Sequence, residues 1–89
     1  MAGELGQAVA PSPLSAVVEV VARALVDHPD AVKVRESTRR GMTVVELTTA
    51  PGDMGKIIGR QGRTAAALRT LVAVAAERHG VRAQLDIRD

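Results

Sequence analysis

Apolar residues along this chain repeatedly change their spacing, and each change marks an element. Leu14, Val17, Val18, Val21 and Leu25 form one stripe at helical spacing, with Glu19, Arg23 and Asp27 on the opposite side. Ser12-Pro13 supplies an N-cap serine and a proline at the first helical position. Pro29 is expected to end the helix, because a residue before proline avoids the helical region. The valines lower intrinsic helix preference, so packing must hold this segment. Ala31 to Glu36 alternates, Val32 and Val34 to one side and Lys33 and Arg35 to the other, which predicts a half-buried strand. Ser37 to Gly41 reads as a polar turn. Met42 to Thr49 is a second strand, with Thr43, Val45 and Leu47 on one face and Met42, Val44 and Glu46 on the other. The short link predicts an antiparallel hairpin.

After Ala50-Pro51-Gly52, Asp53 is placed as the N-cap of a short helix, Met54 to Ile58. A longer helix runs to Arg78, sharing Ala65, Leu68, Val72, Ala75 and Ala76 on one face, with Gly80 as its stop. Val81 to Asp89 alternates again. The order α-β-β-α-α-β predicts an α+β fold of two layers, helices on one face of a three-stranded mixed sheet. The domain covers residues 13–89; residues 1–12, which carry no period, are expected to be a disordered leader.

At 89 residues the chain is one domain. It has no Phe, Tyr or Trp, so its core is built from Val, Leu, Ile, Met and Ala. A nucleic-acid surface on it also lacks the aromatic platforms that contribute about 1–3 kcal/mol per stacked base. There is no cysteine, which excludes disulfides, thiolate nucleophiles and thiolate metal sites. No apolar run approaches bilayer-spanning length, and Met1 to Ala10 lacks the basic start of a signal peptide. A cytoplasmic protein with no membrane partner is expected. His28 and His79 sit near helix ends as capping or surface residues, and the carboxylates are scattered. No metal site, cofactor or enzyme centre is predicted.

The chemistry concentrates at Asp53 to Arg69. Gly59 and Gly62 bracket Arg60 and Gln61; Ile57 and Ile58 precede them and an Ala-rich helix follows. Glycine turns without steric cost and lets another backbone approach. The following helix directs its N-terminal N–H groups and dipole at the turn. Lys56, Arg60, Arg63 and Arg69 add charge, with Asp53 as the one nearby acid in sequence. The spacing is not a phosphate-binding P-loop, since no G-x-x-x-x-G-K-[ST] is present. A plain helix–helix turn would leave the basic tip unexplained.

Ile57-Ile58-Gly59-Arg60-Gln61-Gly62-Arg63 resembles the GXXG core of a KH domain, which clamps about four nucleotides of single-stranded nucleic acid. The longer string from Ala50 to Arg63, with Ala24 to Asp30 before it, is similar to the small bacterial single-KH proteins of the KhpA family. The likeness runs from about Leu14 to the C-terminus. It implies the type II KH topology and contact with single-stranded RNA. Backbone N–H groups around Arg60 to Arg63 would meet phosphates, aided by Lys56. Ile57, Ile58 and Ala65 would lie where the family's groove accepts bases. Ala65 stands where many KH domains carry isoleucine, which leaves base selectivity open. Arg39 and Arg40 form either the opposite lip of that groove or an exposed solubilising turn. The resemblance further implies an RNA chaperone that pairs with itself or with a larger KhpB/Jag-type protein, in a role tied to the cell wall and cell length. The competing reading is a protein-pairing adaptor on a KH scaffold, with Leu71 and Val74 as either partner surface or core.

Overall fold

The computed structural model describes residues 12–88. The expected leader, apart from Ser12, and the terminal Asp89 lie outside that range. Helix α1 covers Pro13–Leu25, and the Ser12 side chain accepts a hydrogen bond from the Ser15 N–H at 3.3 Å. The hydroxyls of Ser12 and Ser15 also donate to the Glu36 carboxylate, fixing the helix start to the sheet. The buried stripe is Leu14, Ser15, Val18 and Ala22. Leu25, placed in the stripe by spacing, is 39% exposed. The small Ala22, fully buried, faces inward in its place, and the long helix Arg63–Arg78, α3, packs beside α1. Pro29 does not end α1: the helix stops at Leu25, and Pro29 opens a separate 3-10 turn, Pro29–Ala31.

Three strands follow the order β1-β2-β3: β1 Lys33–Arg39, β2 Met42–Thr48 and β3 Arg82–Arg88. β1 and β2 are antiparallel; β2 and β3 are parallel. Arg39 pairs with Met42, so Ser37, Thr38 and Arg39 belong to β1 and not to a turn. The actual turn is Arg40-Gly41, with φ of 53° and 78°. That mirror-image geometry matches the twist of the strands it joins. The polar run misled because β1 is an edge strand whose end is exposed on both faces.

Val45, Leu47 and Leu85 turn toward the helices and join Leu14, Val18, Val32, Ile57, Leu68 and Val72 in one core. Helix α2, Met54–Ile58, and helix α3, Arg63–Arg78, lie on the same face of the sheet. α3 buries Ala65, Leu68, Val72 and Ala76, the face its spacing predicts. It closes with Gly80 N–H to Glu77 O and Val81 N–H to Ala76 O, the paired bonds of a Schellman stop. The result is the expected two-layer α+β architecture with a mixed sheet.

Because β2 and β3 run parallel, the α2–α3 crossover leaves from Thr48 and returns opposite Met42. The start of α3 therefore sits at the Thr48 end and its C-terminus at the Met42 end, beside the hairpin turn.

Candidate nucleic-acid interface

The loop between α2 and α3 begins at Gly59, whose N–H closes α2 onto Gly55 O at 2.9 Å. Gly59 has φ of 77° and ψ of 171°, a conformation that side-chain-bearing residues rarely adopt. A β-carbon there would fall 2.2 Å from Thr64 Oγ1 and 3.0 Å from the Thr64 N. Gly59 thus lets the chain double back onto the first turn of α3. Gln61 is left-handed, at φ 57° and ψ 25°, and Gly62 is left-handed at φ 73°. Nothing lies within 4 Å of the position a Gly62 β-carbon would take, so this side of the loop is open.

Two of the four N–H groups expected to face phosphate are already engaged. Gly62 N–H bonds to Gly59 O at 3.1 Å, and Arg63 N–H bonds to Arg60 O. The N–H groups of Arg60 and Gln61 have no partner among the described residues. The N-terminus of α3 has no side-chain cap. The donor set is therefore the loop tip and the uncapped helix start, which together direct positive potential outward. The side chains of Arg60, Gln61 and Arg63 are exposed and, among the described residues, make no ion pair or hydrogen bond.

The remaining predicted residues divide. Ile58 is half-buried beside the loop and offers apolar surface. Ile57 is fully buried in the core and Ala65 is 3% exposed, so both face inward and present almost no surface beside the loop. Arg69 is exposed but six residues beyond Arg63, about 120° around the helix, and does not join the loop cluster. Arg39 and Arg40 do not join the loop cluster. They sit at the hairpin end of the sheet, about 20 Å from the loop end along a seven-residue strand.

Lys56 is 3.2 Å from Asp27 at the end of α1, a second acid that the linear sequence keeps distant. Asp53 does not cap α2 with its side chain. Its carboxylate is 1% exposed and reaches back to His28, accepting from the backbone N–H at 2.9 Å and lying 3.1 Å from Nδ1. Burial alone raises the Asp53 pKa, but the hydrogen bonds from the His28 backbone and ring outweigh it and hold the carboxyl below its ordinary range. These contacts clamp the loop after α1 to the segment that launches α2, and so position the glycine turn. Neither leaves a periodic signal in the sequence; the His28–Asp53 contact joins residues 25 positions apart. Among the described residues no helix is long and apolar enough to cross a membrane.

A family model described as the KH domain of KhpA and KhpB matches residues 15–87. The RNA-binding protein KhpA of Halalkalibacterium halodurans is 50% identical over 76 residues, covering 85% of this chain and all of that protein. The RNA-binding protein KhpA of Caldanaerobacter subterraneus is 49% identical over 71 residues, 80% of this chain and 95% of the relative. That of Aquifex aeolicus is 42% identical over 76 residues, 85% and 96%.

Proposed function

The chain belongs to the KhpA/KhpB family of KH domains, and from that membership we propose that it grips the backbone of single-stranded RNA at the Gly59–Gly62 loop. The observation that carries this reading is the loop tip. Arg60 and Gln61 present backbone N–H groups and side chains without partners among the described residues, at the start of a 16-residue helix that no side chain caps. The description of the relatives as RNA-binding proteins supports it. Gly59 and Gly62 set the approach, Arg60 and Arg63 supply charge, Lys56 contributes from its pair with Asp27, and Ile58 meets a base. Ile57 and Ala65 hold the wall from behind, and Arg69 reaches only strand that extends past the loop.

With about four nucleotides held and no aromatic stacking, binding is weak, salt-sensitive and poorly selective. Useful avidity then comes from a second site on a partner. We read the protein as a cytoplasmic RNA chaperone that pairs with itself or with a larger KhpB/Jag-type protein, in post-transcriptional control linked to the cell wall and cell length. The joint description of KhpA and KhpB in the family model supports that choice of partner. The testing experiment is titration of a short single-stranded RNA against the double variant Arg60→Asp, Gln61→Asp. At least a tenfold loss with an unchanged fold is expected; unchanged affinity would overturn the reading.

A second reading, a protein-pairing adaptor, has its own observation. Leu71 and Val74 of α3 are 45% and 50% exposed, and Val20 of α1 is 69% exposed. They are surface residues and not core.

A further inference from the structure

The sheet face turned away from the helices carries a charge pattern that the glycine loop does not use. In the row at the hairpin end, Arg39 and Arg82 flank Met42; at the other end, Lys33 and Arg88 flank Thr48. Arg35 stands between them on β1, opposite Glu46, and Asp86 follows in the same row. Cations thus hold all four corners of the face. Five cations meet two carboxylates, a surplus of three, where the whole chain has a surplus of two. All five are exposed.

The two acids are already engaged. Glu46 lies 4.0 Å from Arg39 and 3.6 Å from Arg88, and Asp86 lies 3.9 Å from Arg88. Lys33, Arg35 and Arg82 have no carboxylate partner among the described residues. Charge on an open sheet face ordinarily mixes both signs for solubility, and lysine on an edge strand discourages strand addition. Neither explains why both acids are neutralised within the face while three cations are left over. Lys33 and Arg35 stand about 7 Å apart along β1, and β1 lies about 10 Å from β3 across the cation-free β2, an array that suits a chain of phosphates. It carries no pattern for reading bases. Lys33 and Arg88 lie at the Thr48 end of the sheet, where the glycine loop projects, so RNA leaving the loop meets them first.

We propose that this face is a second contact surface for the RNA phosphate backbone, anchored by Lys33, Arg35 and Arg82 and engaged by strands too long for the loop alone. The test compares wild type with Lys33→Glu, Arg35→Glu, Arg82→Glu, using a tetranucleotide and a single strand of about 20 nucleotides over a range of salt. The long strand is expected to bind at least tenfold more weakly, with a salt slope shallower by about 2, while the tetranucleotide is unaffected. The loop variant Arg60→Asp, Gln61→Asp is expected to lose the tetranucleotide. Failure of the wild type to bind the tetranucleotide counts against the loop and leaves the long-strand comparison to judge the face. Should charge reversal unfold the protein, Lys33→Gln, Arg35→Gln, Arg82→Gln gives the same readout at smaller amplitude. Unchanged long-strand affinity and salt slope in a folded variant would overturn the proposal. So would loss of binding to polyglutamate with RNA binding intact, which would assign the face to an acidic protein.

Discussion

Gly59 and Thr64 approach so closely that a β-carbon on the glycine would fall 2.2 Å from the threonine hydroxyl oxygen and 2.7 Å from its Cβ. The loop can present its tip only because the chain folds flat against the first turn of α3 at this point. Gly62 has a similar positive φ but faces open space. The two glycines of one motif therefore have different jobs.

Gly59→Ala is accordingly expected to cost at least about 2 kcal/mol, from backbone strain plus the clash, and to abolish binding of a tetranucleotide. Gly62→Ala is expected to cost only about 1 kcal/mol of left-handed strain. Thermal or urea unfolding of the two variants checks this; equal losses would contradict the division. Removing the Thr64 hydroxyl relieves Gly59→Ala only partly, because the Thr64 Cβ and N remain.

The His28–Asp53 clamp gives a pH dependence. Its folded-state pKa lies below the unfolded value, so the carboxylate contributes stability that is fully present above about pH 4 and lost as pH falls through the folded value. Asp53→Asn is expected to lower stability at neutral pH and to flatten the acid limb of the stability curve. An acid limb as steep as that of wild type would place the titrating group elsewhere.

Leu71→Glu with Val74→Glu is expected to shift stability by less than about 1 kcal/mol, since both side chains are exposed. Leu68→Ala, one turn away but 1% exposed, is expected to cost about 2–5 kcal/mol. If the outer helical face mediates pairing, sedimentation of the double variant shows a monomer with RNA affinity for a tetranucleotide intact. Self-association equal to wild type would remove that face from consideration.

Much of this was legible in the chain. The core faces of β2 and α3 follow from periods of two and of about four, Val45 and Leu47 on the strand and Leu68 and Val72 on the helix, although the central strand also buries Val44 on its other face. The cap at Ser12 and the stop at Gly80 follow from local chemistry and were readable as such. What failed was tertiary. Pro29 marks the end of α1 by local rules, but the chain leaves the helix at Val26, ahead of the His28 contact with Asp53. Arg39 reads as turn from its polarity, yet an edge strand exposed on both faces needs no apolar residues. Asp53 looked like a helix cap, and only the fold reveals that it faces backward. The family resemblance sets Ile57 beside Ile58 as groove wall, yet adjacent residues on a short helix point in different directions, Ile57 into the core.

The central claim is that RNA backbone docks on the Arg60–Gln61 tip. Its most direct test is an amide-resolved NMR titration of the protein with a single-stranded tetranucleotide. The largest shifts are predicted at the Arg60 and Gln61 N–H groups, with smaller ones at Ile58 and the first turn of α3. Saturable binding that leaves those two amides unmoved would contradict it.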